Sequence, residues 1–87
     1  MEIRYSEKAI KELKRVNRGD RKNCQHIIEI IEKFAANPDR IFDIKALKGK
    51  QGNFKRLRVG KYRIIFEYEG NTMSIYTIKH RREAYYD

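Results

Sequence analysis

Residues 54–68, FKRLRVGKYRIIFEY, constrain the fold more than any other part of this chain. Two runs with strand alternation flank Gly60-Lys61, and glycine at the first central position of a two-residue loop suits a type II′ hairpin turn. That turn pairs Val59 with Tyr62, Arg58 with Arg63, Leu57 with Ile64 and Arg56 with Ile65. Strand side chains alternate between faces, and paired residues share a face. One face therefore carries Leu57, Val59, Tyr62, Ile64, Phe66 and Tyr68, with Tyr62 and Tyr68 expected in the core. The other face carries Arg56, Arg58 and Arg63. Arg58 directly across from Arg63 is repulsive on its own, and a bound polyanion is the natural compensation.

The remaining segments supply layers for this hairpin. Residues 2–5 alternate and read as a short strand. Ser6 is placed to cap a helix, with Glu7 in its first turn and Ala9, Ile10, Leu13 and Val16 at helical spacing. Residues 17–20 form a turn, and Asp20 can cap a second helix. Cys24, Ile27, Ile28, Ile31, Phe34 and Ala35 make that helix's apolar stripe, and Asn37-Pro38 ends it. Two helices joined this tightly form an antiparallel hairpin, whose stripe covers the apolar sheet face. Residues 39–52 read as an irregular basic loop with Ile41, Phe42, Ile44 and Leu47 as anchors, and Lys48 or Lys50 is placed to contact a ligand. Gly70-Asn71 marks a second hairpin turn. The register across it pairs Tyr68 with Met73, Phe66 with Ile75, Ile64 with Thr77 and Arg63 with Ile78, so Ser74, Tyr76 and Ile78 join the arginine face. The tail, residues 79–87, is dense in basic and aromatic side chains and should lie beside Arg58 and Arg63. The expected architecture is α+β: an N-terminal strand and an antiparallel two-helix hairpin packed on a small, mostly antiparallel twisted sheet, with residues 1–87 forming one domain.

Charge narrows the function. Twenty-one lysines and arginines against twelve acids give 87 residues a net charge of +9, and the arginines gather on one expected face. That pattern favours nucleic acid or another polyanion as partner. Cys24 is the single cysteine, which excludes an internal disulfide; its place in an apolar stripe makes it a buried structural thiol in a reducing, cytoplasmic setting. No apolar run is long enough to span a membrane and no signal-peptide core is present. Asp39, Asp43, Glu67, Glu69 and Glu83 have no metal-ligand spacing, so neither metal nor cofactor is expected.

Three segments taken together carry a resemblance. Leu47-Lys48-Gly49, then Phe54-Lys55-Arg56-Leu57-Arg58-Val59-Gly60-Lys61-Tyr62-Arg63-Ile64-Ile65-Phe66, then His80-Arg81-Arg82-Glu83-Ala84-Tyr85 resembles the RelE/ParE toxin superfamily of prokaryotic toxin–antitoxin modules, over essentially the whole chain. The resemblance implies a toxin of the RelE branch, an mRNA interferase that cuts mRNA in the ribosomal A site, with a cognate antitoxin, contacts to ribosomal RNA, and translation inhibition as its outcome. Carried over position by position, it implies catalytic roles for Arg56, Arg58, Arg63, Arg81 and Tyr85. Arg56 and Arg58 stand where the best-known member has lysines, His80 departs from that member, and the chain ends without the C-terminal helix of longer relatives. A ParE-like toxin acting on DNA gyrase shares much of the hairpin pattern, and a non-catalytic RNA-binding module is a third reading; the basic cluster together with Tyr85 favours the RelE side.

RNA cleavage without a metal needs the 2′-hydroxyl deprotonated, the phosphate charge stabilised and the 5′-oxygen protonated as it leaves. Arg63 and Arg81 suit the second task, because guanidinium binds phosphate in a bidentate fork at any relevant pH. His80 is the chemically simplest acid or base; Tyr85 or Tyr86 could serve beside an arginine, and Lys55 could serve if neighbouring cations depress it. Lys48, Lys50, Lys55, Arg82 and Tyr86 complete the expected RNA contacts, with the aromatic rings available for stacking on bases.

Overall fold

The computed structural model describes residues 1–40, 42–47 and 53–83, with the Glu83 side chain excepted. Its elements run β1 (Glu2–Tyr5), α1 (Glu7–Gly19), α2 (Arg21–Ala36), β2 (Ile44–Ala46), β3 (Lys55–Val59), β4 (Tyr62–Glu69) and β5 (Thr72–His80), followed by one 3-10 turn over Arg81–Glu83. The five strands form one sheet in the order β1-β5-β4-β3-β2. β1 runs parallel to β5 and the other pairs are antiparallel.

Local chemistry sets the helix ends. The Ser6 hydroxyl accepts the Ala9 amide at 3.0 Å and donates to the Tyr76 carbonyl at 2.6 Å, so one side chain both caps α1 and ties it to β5. Asp20 closes α1 and opens α2: its amide donates to the Val16 carbonyl at 2.6 Å, and its carboxylate accepts the Asn23 amide at 3.3 Å. The two helices therefore reverse direction within a single residue.

The core lies between this helix pair and one sheet face. Ala9, Ile27, Ile31 and Phe34 pack against Leu57, Val59, Ile64, Phe66, Met73, Ile75 and Ile78, all buried. Phe34 is its aromatic hub, edge-on to Phe42 at 5.3 Å and to Phe66 at 5.2 Å. Burying such rings contributes on the order of 1.5–3 kcal/mol each. Cys24 is buried, its thiol donates weakly to the Leu13 carbonyl at 3.6 Å, and desolvation raises its pKa. That is the inert structural thiol expected of this position.

The central hairpin has the predicted register: Val59 with Tyr62, Arg58 with Arg63, Leu57 with Ile64, Arg56 with Ile65. Gly60 has φ +58°, and no residue other than glycine has positive φ among those described. A left-handed first turn residue followed by an ordinary second one is the type II′ pattern.

Four expectations need correction. The segment called irregular contains β2, whose Ile44, Lys45 and Ala46 pair with Leu57, Arg56 and Lys55; three residues were too few to show alternation. The second hairpin keeps Tyr68 with Met73 and Phe66 with Ile75, but the register shifts between Ile65 and Phe66. Beyond this bulge Ile64 meets Ile78 rather than Thr77, and Arg63 meets Lys79 rather than Ile78. An extra residue in one strand turns every later side chain to the other face, so Ile78 enters the core and Lys79 takes the arginine face. Tyr68 is 37% exposed, not buried, because it lies near the end of β4, with its ring against the Phe34 edge. Ile10 is 42% exposed, outside the buried stripe of α1.

No helix among the described residues is long and apolar enough to cross a membrane.

Candidate functional site

The sheet face away from the helices carries the charge. By register, Arg58 on β3, Arg63 on β4 and Lys79 on β5 form one row of cations across three adjacent strands. Such a row is self-repulsive when empty. At the turn end of the hairpin it opens into a cleft of about 380 Å³ lined, among the described residues, by Arg58, Gly60, Lys61, Tyr62, Arg63 and Arg81. Arg81 reaches the cleft because its amide donates to the Lys61 carbonyl at 2.7 Å, folding the start of the tail back over the turn. Among the described residues the cleft lining includes four cationic side chains and no carboxylate, an arrangement that attracts anions such as a phosphodiester.

The sequence-derived site residues divide by place. Arg58, Arg63 and Arg81 come together at this cleft. Arg56 shares their face but not their exposure. It is buried, and its Nη1 lies 3.4 Å from Asp43 Oδ1, while Arg58 Nη1 is 3.8 Å from Asp43 Oδ2. Arg56 is therefore neutralised beneath the row, while Arg58 remains half exposed. Lys55 is separated from the cleft altogether. One residue out of phase with Arg56 and Arg58, it lies on the helix side, where its ammonium stands over the Tyr68 ring at 5.1 Å. It is not placed to exchange a proton or bind RNA at the arginine cleft. His80 pairs with Tyr62 and meets that ring edge-on at 5.3 Å. Its Nδ1 accepts the Arg82 amide at 3.2 Å, which leaves Nε2 as the nitrogen that carries the proton of the neutral ring. Arg82 itself is exposed on the turn that follows. Lys48, Lys50, Tyr85 and Tyr86 lie outside the described residues.

Further groups on this face were not among the site residues expected from the sequence. Lys79 joins the cation row through the bulge, and it also borders a groove of mixed charge over the β5 edge, lined with it by Glu7, Lys8, Lys11, Glu12 and Arg15 of α1. The spacing of Met73, Ile75 and Ile78, two then three, was the available signal: apolar residues an odd number apart cannot share a face of a regular strand. Asp43, which neutralises Arg56, had no signal. At the other end of the same face, Phe54 and Tyr76 pack ring to ring at 4.9 Å, and the Tyr76 hydroxyl donates to Glu67 Oε1 at 2.7 Å. The hydrogen bond to Glu67, ahead of burial and the carboxylate's charge, raises the Tyr76 pKa, so the phenol stays a neutral donor. Among the described residues no group of three His, Cys, Asp or Glu could hold a metal ion.

Known proteins share this fold. The family model described as ParE toxin of type II toxin-antitoxin system, parDE, matches residues 3–85. Toxin RelE3 of Methanocaldococcus jannaschii is 35% identical over 85 residues, which span 98% of this chain and 96% of the relative. Among solved structures, a chain of the RelB-RelE antitoxin-toxin complex from Methanococcus jannaschii is 33% identical with a TM-score of 0.69, covering 94% of each chain. The YoeB dimer from Staphylococcus aureus has a TM-score of 0.77 at 20% identity, covering 92% of this chain and 95% of that one, which speaks for the fold. These matches define the class, a toxin of a type II toxin–antitoxin module. Within it, the chain belongs to the RelE/ParE toxin superfamily and is RelE-like.

Proposed function

We propose that this toxin is an mRNA endoribonuclease that cuts in the ribosomal A site and is held in check by a cognate antitoxin. The observation that carries this reading is the convergence of Arg58, Arg63 and Arg81 on one cleft whose described lining holds no carboxylate. In the reaction the ribose 2′-oxygen attacks the adjacent phosphorus, the P–O5′ bond breaks, and a 2′,3′-cyclic phosphate and a 5′-hydroxyl result. The 2′-hydroxyl gives up its proton to a base, and the departing 5′-oxygen takes one from an acid. Arg63 and Arg81 grip the non-bridging oxygens, and their charge is strongest against the extra negative charge of the pentacoordinate phosphorane. Arg58 fixes the neighbouring backbone, so that the 2′-oxygen, phosphorus and 5′-oxygen are held in line. His80, whose Nδ1 accepts the Arg82 amide, is one proposed proton carrier. Tyr85 is the other proposed proton carrier. Arg56 acts beneath the cleft as a support for Arg58 rather than as a phosphate ligand.

The antitoxin follows from the RelB-RelE complex, in which the similar chain is bound to its own. An acidic segment is the expected complement to this surface. The work of such a toxin is cytoplasmic, where ribosomes and mRNA are.

The family model carries the ParE name, and this keeps gyrase inhibition as the second reading. Mapping 5′ ends of mRNA on programmed ribosomes treated with purified toxin separates the two. New ends inside the A-site codon support the nuclease. Intact mRNA with blocked DNA supercoiling supports the gyrase inhibitor instead.

A further inference from the structure

The open face of the sheet is polarised along its strands. At the turn end stand Arg58, Arg63 and Lys79. At the far end stand Phe54, Tyr76 and Glu67, joined by the ring contact and the phenol hydrogen bond. Arg56 lies between the two groups and is closed off with Asp43. The four residue steps from Arg58 to Phe54 span about 13 Å of extended strand, the reach of a short run of single-stranded RNA.

Each end suits a different part of a nucleotide. The cation row attracts phosphate. The far end repels it through Glu67, yet Tyr76 keeps 37% of its surface exposed although it is a large aromatic side chain. An exposed aromatic ring, backed by a second ring and held by a buttressing carboxylate, is a stacking platform for a base. The hydrogen bond from Tyr76 to Glu67 restricts rotation of the ring, so little ordering entropy remains to be lost when a base arrives. Glu67 also offers an acceptor to the amino or imino edge of that base.

Resting on the reading of the arginine cleft as the cutting site, we propose that Phe54, Tyr76 and Glu67 form a base-binding platform that stacks a nucleobase a short distance along the same RNA strand and so sets which sequences the toxin prefers.

A short 2′-O-methylated RNA cannot be cut by 2′-oxygen attack, and 2-aminopurine placed at each position in turn reports stacking by loss of fluorescence. The wild-type chain quenches the probe at one position. Tyr76→Ala abolishes that quenching and weakens binding about tenfold, whereas Tyr76→Phe, which keeps the ring, retains most of it. Equal quenching and equal affinity in wild type and Tyr76→Ala overturn the platform, as does absence of position-dependent quenching in the wild type. Cleavage of unmodified mRNA on ribosomes is scored separately. Quenching without cutting leaves the platform standing and removes the nuclease reading. Cutting by Tyr76→Ala with an unchanged nucleotide preference removes the specificity role.

Discussion

Glu12 of α1 accepts the backbone amide of Ile78 in β5 at 2.9 Å. β1 pairs with β5 only from Thr72 to Ile75, so the later amides on that edge must look elsewhere. The Glu12 carboxylate supplies an acceptor for Ile78 and also takes the Thr77 hydroxyl, at 2.7 Å from one oxygen and 2.9 Å from the other. The helix layer thereby fixes β5 just past the bulge that delivers Lys79 to the cation row. Glu12→Ala is expected to destabilise the fold by about 1–3 kcal/mol, and Glu12→Gln by less, since an amide oxygen still accepts. Urea unfolding of the two variants beside wild type measures the order.

Gly60 shapes the cleft because its φ of +58° suits no side chain well. An added Cβ would meet little, its nearest neighbour being the Asn23 Oδ1 at 4.0 Å. The penalty is therefore conformational rather than steric crowding. Gly60→Ala should cost about 1–2 kcal/mol by denaturant melting, and Gly60→Asn less, because asparagine tolerates the left-handed region better.

Asp43 holds the buried Arg56 at 3.4 Å and touches Arg58 at 3.8 Å. Removing the carboxylate leaves a guanidinium that is 8% exposed without that charge partner, whereas removing Arg58 leaves a half-exposed carboxylate in water. Asp43→Ala is therefore expected to be the more destabilising of the two, by about 1–3 kcal/mol relative to wild type. Thermal unfolding of Asp43→Ala and Arg58→Ala compares them directly.

Asp20 gives the pH dependence a definite sign. Hydrogen bonds from the Asn23 side chain and then the Asn23 amide, with Lys61 and Lys22 nearby, hold its pKa below the ordinary 3.8. A group with a depressed folded pKa contributes stability above its unfolded pKa and loses that contribution as pH falls through the folded one. Asp20→Asn still presents a capping oxygen but does not titrate. The stability difference between wild type and Asp20→Asn should be constant above about pH 5 and change in favour of the variant below pH 4, read from helical circular dichroism across an acid titration.

The sequence disclosed the layers, the helix caps and the central hairpin, because each rests on local chemistry: Ser6 and Asp20 at helix starts, Gly60 at a turn, alternation around it. It placed Arg58 opposite Arg63 for the same reason. What it hid depended on contacts between distant segments. Lys79 reached the cation row only through a bulge in β5, Arg56 was covered by Asp43 from a segment read as loop, and Lys55 was separated from the cleft by strand phase. The resemblance to the toxin superfamily pointed to Arg56, Arg58, Arg63 and Arg81 without showing that Arg56 is sheltered. The tilted ring pair Phe54 and Tyr76 lies 22 residues apart in sequence, and alternation alone gave no reason to join them.

If this toxin cuts RNA as proposed, the arginines at the cleft are the groups that act on phosphate. The direct measurement is 5′-end mapping of mRNA on programmed ribosomes with wild-type toxin, Arg63→Ala and Arg81→Ala, each first checked for wild-type-like circular dichroism. A-site cuts are expected from wild type and, for each folded variant, a loss of about 100-fold or more in cutting rate. Wild-type-like cutting by both variants, or no cutting by the wild-type chain, would contradict the proposal.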